Sequence, residues 1–294
     1  MRNVSRALLT VCLGAAAARG ETVTRRWVAA ATIAPLASLT ATVAGPAWEV
    51  RTVIAPGVSP HVFEPAPRDV KRFAPARLVV AVGAGFDDWV SKLVAMCAPD
   101  AVLYDAGRSV GVVSEDGRDH DGEIGRDPHW WLSPKLAARA LAPLAETLAR
   151  LDPPGAAGYR SRAKDGAAAL LALDAELATL LAPVRGRPIV AAHNSWAYFA
   201  AEYGLENGGA IETVPGREPS PRDIKRLLDL VHARKVSTIF AEPQFSPAAA
   251  RILASDAGIR VALVDPIGGV PGRADYAALL RFDAHAFREG LGTR

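Results

Sequence analysis

Residues 156–181 read AAGYRSRAKDGAAALLALDAELATLL, a proline-free run rich in alanine and leucine. At 3.6 residues per turn, this run predicts a helix of about seven turns. The sequence DPPG at 152–155 separates it from another alanine- and leucine-rich stretch, Pro134–Leu151, which is also predicted to be helical. Because the long run lies between two segments with a different pattern, we expect it to form a rigid connector.

The two flanking segments alternate short apolar strands with helical stretches. Runs of Val, Leu and Ile in such strands are typical of parallel sheets covered by helices. The predicted strands are Trp27–Ala31, Trp48–Ile54, Leu78–Val82, Ala101–Tyr104, Arg187–Ala191, Val236–Phe240 and Val261–Val264. The predicted helices are Leu36–Val43, Pro67–Phe73, Phe86–Met96, Trp196–Tyr203, Pro221–His232, Ala248–Ala257 and Tyr276–Leu291. The pattern therefore predicts an α/β protein with two lobes, at 27–154 and 185–294. Each lobe has a mainly parallel sheet flanked by helices, and a single long helix at 155–184 joins them.

Composition narrows the class of protein. Of the 294 residues, 50% are hydrophobic and 22% are charged, which is typical of a packed globular chain. The net charge of +3 is small for this length and no long basic run is present, so nucleic acid is not an expected partner.

The first residues resemble an export signal. Arg2 and Arg6 precede an apolar run over Ala7–Ala18 that ends in small residues, which predicts a signal peptide at 1–20 and a periplasmic protein. A lipid anchor on Cys12 is not expected, because Val11 precedes it where a small residue is needed. Cys97 is the other cysteine, so we expect no internal disulfide. We also expect no stretch after the signal to be both long enough and apolar enough to cross a membrane.

Four residues stand out as candidate metal ligands: His61, His129, His193 and Asp265. They are separated by 68, 64 and 72 residues, whereas the ligands of a zinc finger come in close pairs. Each lies in a predicted loop, and the last two follow strands. In open parallel sheets, ligands bind beyond the carboxyl ends of the strands. Three imidazoles and one carboxylate form a tetrahedral N/O set that suits zinc.

Ordinary explanations compete with this one for each residue. A single histidine after a strand is more often structural than a ligand, and only the matching positions in both halves favour a site. His120 lies in the polar, glycine-rich segment 115–127, which is predicted to be a surface loop, and His232 and His285 fall within predicted helices. Glu242 follows a strand and is expected to support the site. The fourth ligand remains open, since water could replace Asp265 or Glu242 could share its place.

Several motifs carry a family resemblance. They are HVFEPAPRDV at 61–70, VGAGFDDW at 82–89, DPHWWLSP at 127–134, EPSPRDI at 218–224, AEPQFSP at 241–247 and VDPIGG at 264–269. Together they resemble the solute-binding proteins of zinc and manganese ABC importers, the cluster A-I metal-binding family, from about Trp27 to the C-terminus. The resemblance implies two α/β lobes joined by one long helix, with the metal at the cleft between them.

By this resemblance, His61 and His129 come from the first lobe, and His193 and Asp265 from the second. Manganese-binding members resemble one another in carrying a carboxylate at the third position. A histidine there, as here at His193, implies Zn²⁺ as the transported cargo rather than Mn²⁺. The implied partner is an ABC permease in the inner membrane, and a monomer is expected.

Two other functions compete with zinc transport. A secreted metallohydrolase would need an open coordination position and a general base, and no His-Glu-x-x-His motif is present. An adhesin on the same fold would need a surface partner. The sequence favours a transport protein that is not an enzyme.

Overall fold

The computed structural model describes residues 26–112 and 127–292. The first lobe contains a sheet of four parallel strands in the order β2-β1-β3-β4. The strands are β1 (Trp27–Ala31), β2 (Trp48–Thr52), β3 (Leu78–Ala81) and β4 (Val102–Asp105). Its helices are α1 (Ala34–Ala44), α2 (Pro67–Phe73), α3 (Trp89–Cys97) and α4 (Ala106–Val110). All four residues of β3 are buried, which explains why this strand reads as a continuous apolar run.

Two long helices follow, α5 (Pro134–Leu151) and α6 (Ala156–Leu181). Buried residues recur every three or four positions along α6, from Tyr159 to Leu181, and this face packs on α1 and α5. The segment Pro153–Val184 is long and apolar enough to cross a membrane by length and composition alone. The expectation that no such stretch follows the N-terminus was therefore wrong, although the apolar face of α6 packs against other helices of the protein.

The second lobe repeats the first in its strand order, β6-β5-β7-β8, again with all strands parallel. The strands are β5 (Pro188–His193), β6 (Glu206–Glu212), β7 (Thr238–Ala241) and β8 (Arg260–Leu263). The helices are α7 (Ala197–Tyr203), α8 (Pro221–Ala233), α9 (Ala248–Ala257) and α10 (Tyr276–Leu291). Ser220 caps α8 as its sequence predicts, because its Oγ accepts a hydrogen bond from Asp223 N at 3.3 Å.

The two lobes share one hydrophobic core. The largest hydrophobic cluster extends from the first sheet across α5 and α6 to the second lobe. Trp131 is fully buried in it, and its Nε1 donates a hydrogen bond to Pro266 O at 2.8 Å. The hydroxyl of Tyr276 donates in turn to Trp131 O at 2.6 Å. These bonds tie the chain next to His129 to the chain next to Asp265.

The predicted fold class is confirmed, with two parallel sheets and one long helix between them. The lobe boundaries at 154, 155 and 184 stay predictions. Two elements escaped prediction: α4, which has only five residues, and β6, whose sequence ENGGAIE is poor in strand-forming residues. A β-bulge explains the glycines of β6, since a Cβ at Gly208 would lie 2.7 Å from Ile189 O. The predicted signal peptide and His120 lie outside the described residues.

Candidate metal centre

Three of the four predicted ligands meet between the lobes. His61 lies in the short turn Pro60–Val62 after β2, His129 directly precedes the turn Trp130–Leu132, and His193 is the last residue of β5. His129 Nε2 lies 3.2 Å from His61 Nε2 and 3.3 Å from His193 Nε2. One ring nitrogen from each of the three residues falls within 4.8 Å of the others. The structure thus brings together side chains that are far apart in the sequence.

Aromatic rings enclose the three imidazoles. Phe86 packs edge-on against His61, with ring centroids 4.8 Å apart, and Trp131 lies 5.1 Å from His129. On the second lobe, Phe245 covers His193 at 4.8 Å. His129 and His193 are both 4% exposed. This packing restricts the orientations of the three rings.

A buried carboxylate lies beside the Nδ1 atom of each buried histidine. Asp127 Oδ1 accepts a hydrogen bond from His129 N at 2.9 Å and lies 2.6 Å from His129 Nδ1. Glu242 Oε2 lies 2.5 Å from His193 Nδ1, and Trp196 Nε1 donates to Glu242 Oε1 at 3.1 Å. A carboxylate beside Nδ1 favours the proton on that nitrogen and leaves the lone pair of Nε2 free for a metal. Glu242 therefore occupies the supporting position expected from the sequence.

The loop that carries Phe86 has its own carboxylate anchor. The side chain of Asp87 accepts hydrogen bonds from Val82 N at 2.7 Å and Gly83 N at 3.0 Å. Burial raises the pKa of Asp87 to about 6, because the charged form loses its water. Ala84, one residue after Gly83, has a φ of 54°, so the anchor holds a loop in an unfavourable backbone conformation.

Asp265 lies at the end of the second sheet but is not a member of the three-histidine group. Its Oδ1 accepts hydrogen bonds from Ile267 N, Gly268 N and Gln244 Nε2 at 3.1, 3.0 and 2.8 Å. Its Oδ2 accepts one from Arg273 Nε at 2.6 Å. Four donors therefore already bond to the oxygens of Asp265. Metal binding by this residue stays a prediction.

The remaining histidines of the described chain lie where the sequence suggests. His232 on α8 and His285 on α10 are both exposed.

A cavity of about 650 Å³ opens beside the three imidazoles and extends along β6 to α8. Asn194 and Asn207 line it and hydrogen-bond to each other at 2.7 Å.

Sequence reasoning missed the supporting roles of Asp127 and Asp87. Asp127 lies two residues before His129, a spacing that lets one carboxylate reach both the backbone and the ring of that histidine. Asp87 follows the GAG sequence at 83–85, and a carboxylate after such a glycine-rich turn is a usual acceptor for its backbone amides. The spacing of Asp127 from His129 and the position of Asp87 after the glycines could therefore have indicated both roles from the sequence.

Comparison with known proteins identifies the family. The sequence model described as "Zinc-uptake complex component A periplasmic" matches residues 30–290. The chain belongs to this family. The match includes residues of all eight strands and all three clustered histidines, which confirms the resemblance seen in the motifs.

Individual relatives agree with the family assignment. The chain is 30% identical over 167 residues to the high-affinity zinc uptake system protein ZnuA of Brucella abortus, a match covering 56% of this chain and 50% of that protein. It is 25% identical over 280 residues to the zinc-binding protein AdcA of Streptococcus pyogenes, covering 87% of this chain and 54% of the relative. The chain thus matches about half the length of these curated relatives. A crystal structure of ZnuA superimposes with a TM-score of 0.81 at 29% identity, covering 91% of this chain and all of that one.

Proposed function

We propose that this protein is the zinc-binding component of an ABC importer, which captures Zn²⁺ outside the cytoplasm and delivers it to a membrane permease. The observation that carries the proposal is the convergence of His61, His129 and His193 from both lobes. Zinc–nitrogen bonds in tetrahedral sites measure about 2.0–2.1 Å, so two nitrogen ligands of one zinc ion lie about 3.3 Å apart. Two of the three ligand pairs match this spacing, with Nε2–Nε2 distances of 3.2 and 3.3 Å.

The donor set favours zinc over manganese. Imidazole nitrogen suits zinc, whereas manganese prefers carboxylate, carbonyl and water oxygens. Asp127 and Glu242 contact the Nδ1 atoms of their histidines, on the far side of each ring from the cluster. These carboxylates therefore orient nitrogen ligands instead of adding oxygen ligands. Three nitrogens at one point form a poor site for an oxygen-preferring ion.

The same arrangement argues against metal-dependent hydrolysis. A zinc hydrolase needs a general base next to the metal-bound water. Asp127 and Glu242, the carboxylates that touch the ligand rings, face Nδ1 and not the Nε2 atoms where the metal would lie. We propose that the metal is cargo, and that the protein binds it without catalysing a reaction.

The proposal is tested by metal content and transport together. The purified protein, stripped with a chelator, is titrated with Zn²⁺ and Mn²⁺ in competition with a fluorescent indicator. One zinc ion per chain, bound more tightly than manganese, is the expected result. In cells that lack their own zinc-binding component, expression of this protein is expected to restore zinc accumulation. A protein that takes up no zinc, or that shows zinc-dependent hydrolytic turnover, would contradict the proposal.

A further inference from the structure

Asp265 is held by an unusually complete set of donors. Two backbone amides and the Gln244 side chain bond to one carboxylate oxygen, and Arg273 bonds to the other. The side chain is only 3% exposed and that of Arg273 is 17% exposed. A charge-assisted hydrogen bond of 2.6 Å, largely removed from water, is among the stronger polar contacts in a protein. These four hydrogen bonds equal the roughly four acceptor sites of a carboxylate.

Arg273 is itself fixed on the side away from Asp265. Its guanidinium carbon lies 4.5 Å from the centre of the Phe282 ring, a cation–π contact with α10. Its backbone is equally constrained, because Arg273 N donates to Val270 O at 3.0 Å and Gly269 N donates to Arg273 O at 3.0 Å. Gly268 permits this tight turn, since its φ is +62° and a Cβ there would lie 2.7 Å from Arg273 O.

Recruiting Asp265 to a metal would therefore separate a buried ion pair. Removing one partner from such a pair leaves the other charge without compensation, which is strongly unfavourable. Asp265 would also have to give up the hydrogen bonds of Ile267 N and Gly268 N. By contrast, His129 already lies at ligand spacing from both His61 and His193.

We infer that Arg273 determines metal selectivity by withholding the Asp265 carboxylate from the metal, so that zinc is bound by three imidazoles and a solvent molecule. Without a carboxylate in the site, manganese lacks the oxygen donor it prefers. This role of Arg273 rests on the proposed zinc site and names a residue that does not contact the ion. It also replaces the sequence-based choice of Asp265 as the fourth ligand.

A double-mutant cycle tests the role of Arg273. The variants are Asp265→Asn, Arg273→Met and the double variant, with Arg281→Met as a matched control because Arg281 pairs with Glu176 on an exposed surface of the same lobe. Asparagine keeps an acceptor for the backbone amides, and methionine keeps an unbranched stem beside Phe282. Zinc affinity is measured by chelator competition, manganese affinity by loss of the EPR signal of the free ion, and coordination by the visible spectrum of bound Co²⁺.

With Arg273 present, Asp265→Asn is expected to change zinc affinity by less than about threefold, because the carboxylate is not a ligand. Arg273→Met frees the carboxylate and is expected to raise manganese affinity by about tenfold or more and to change the Co²⁺ spectrum. The double variant should return both readouts to the values of the unmodified protein. Arg281→Met should change neither.

Two results would overturn the inference while leaving zinc transport intact. One is a loss of zinc affinity above about tenfold in Asp265→Asn, which would make Asp265 a ligand despite its bond to Arg273. The other is an Arg273→Met protein whose manganese affinity and Co²⁺ spectrum are unchanged. If Arg273→Met does not fold, Arg273→Gln, which also removes the positive charge, replaces it in the same assays, and the Asp265→Asn result stands independently. A failure of the unmodified protein to bind zinc would instead remove the proposed function.

Discussion

His193 ends a central strand of the second sheet, whereas His61 and His129 lie in short turns outside the first sheet. All six residues of β5 are buried. His193 pairs with Glu212 of β6, so the sheet fixes its backbone. His61 and His129 have no such support, and their positions depend on side chains such as Asp127 and on packing against Phe86. Although both lobes share one strand order, the first holds its ligands with side-chain anchors and the second with the sheet.

The largest effect is expected when His129 is replaced. His129 Nε2 is close to both other ligand atoms, so His129→Ala removes the donor that links the two lobes. Structural zinc sites with four ligands bind with roughly 10–16 kcal/mol, so the loss of one ligand is expected to weaken zinc binding about a thousandfold. Chelator competition measures this loss. His285→Ala, an exposed histidine of the second lobe, is the control, and an equal loss in both variants would rule out the site.

The pH dependence of folding tests the anchor of the Phe86 loop. The pKa of Asp87 is raised from 3.8 to about 6 by burial, so its contribution to stability is fully present below pH 3.8 and is lost as the pH rises through 6. The shift corresponds to at most about 3 kcal/mol. Denaturant unfolding between pH 4 and 7 should therefore show the unmodified protein losing stability relative to Asp87→Asn. Parallel pH profiles would contradict the assigned pKa.

Removing the carboxylate beside each buried histidine compares directly how the two lobes hold their ligands. Partners of metal-binding histidines contribute about tenfold to a hundredfold to affinity. Asp127→Asn is expected near the upper end of that range, because Asp127 holds both the ring and the backbone of His129. Glu242→Gln is expected near the lower end, because the sheet still fixes His193. The comparison fails if zinc titrations show the reverse order.

The smallest effect concerns the contact between the lobes beside the site. A Cβ at Gly216 would lie 2.6 Å from Val62 Cγ1, so Gly216→Ala pushes the second lobe against the residue after His61. Zinc dissociation, followed by stopped-flow chelation, is expected to become a few times faster. Gly272→Ala is the matched control, because both glycines have φ above +80° while Gly272 has open space around it. Both variants should lose about 1 kcal/mol of stability, but only Gly216→Ala should release zinc faster.

The sequence predicted the fold well where the physical signal is local. Alternation of apolar strands with helices located seven of the eight strands in the described chain, and α6 was predicted with its observed bounds. β6 was missed because its glycines serve a bulge and not a regular ladder. The predicted helix Phe86–Met96 begins later, at Trp89, because Asp87 holds the preceding residues in a loop.

The site was predictable in part for a similar reason. Histidines in turns and at strand ends mark candidate ligands, and His61, His129 and His193 do converge. The partner of Asp265 could not be foreseen, because Arg273 reaches it through a turn that depends on Gly268 and Gly269. Whether a carboxylate is available to a metal is decided by its other hydrogen bonds, which the sequence does not show.

Trp131 gives the protein a built-in optical reporter. Its indole is fully buried, packs against the His129 ring and donates to Pro266 in the other lobe. Occupation of the site and any tilt between the lobes both alter the surroundings of this single ring. Emission from Trp131 would therefore follow loading and unloading of the protein in real time, without a dye.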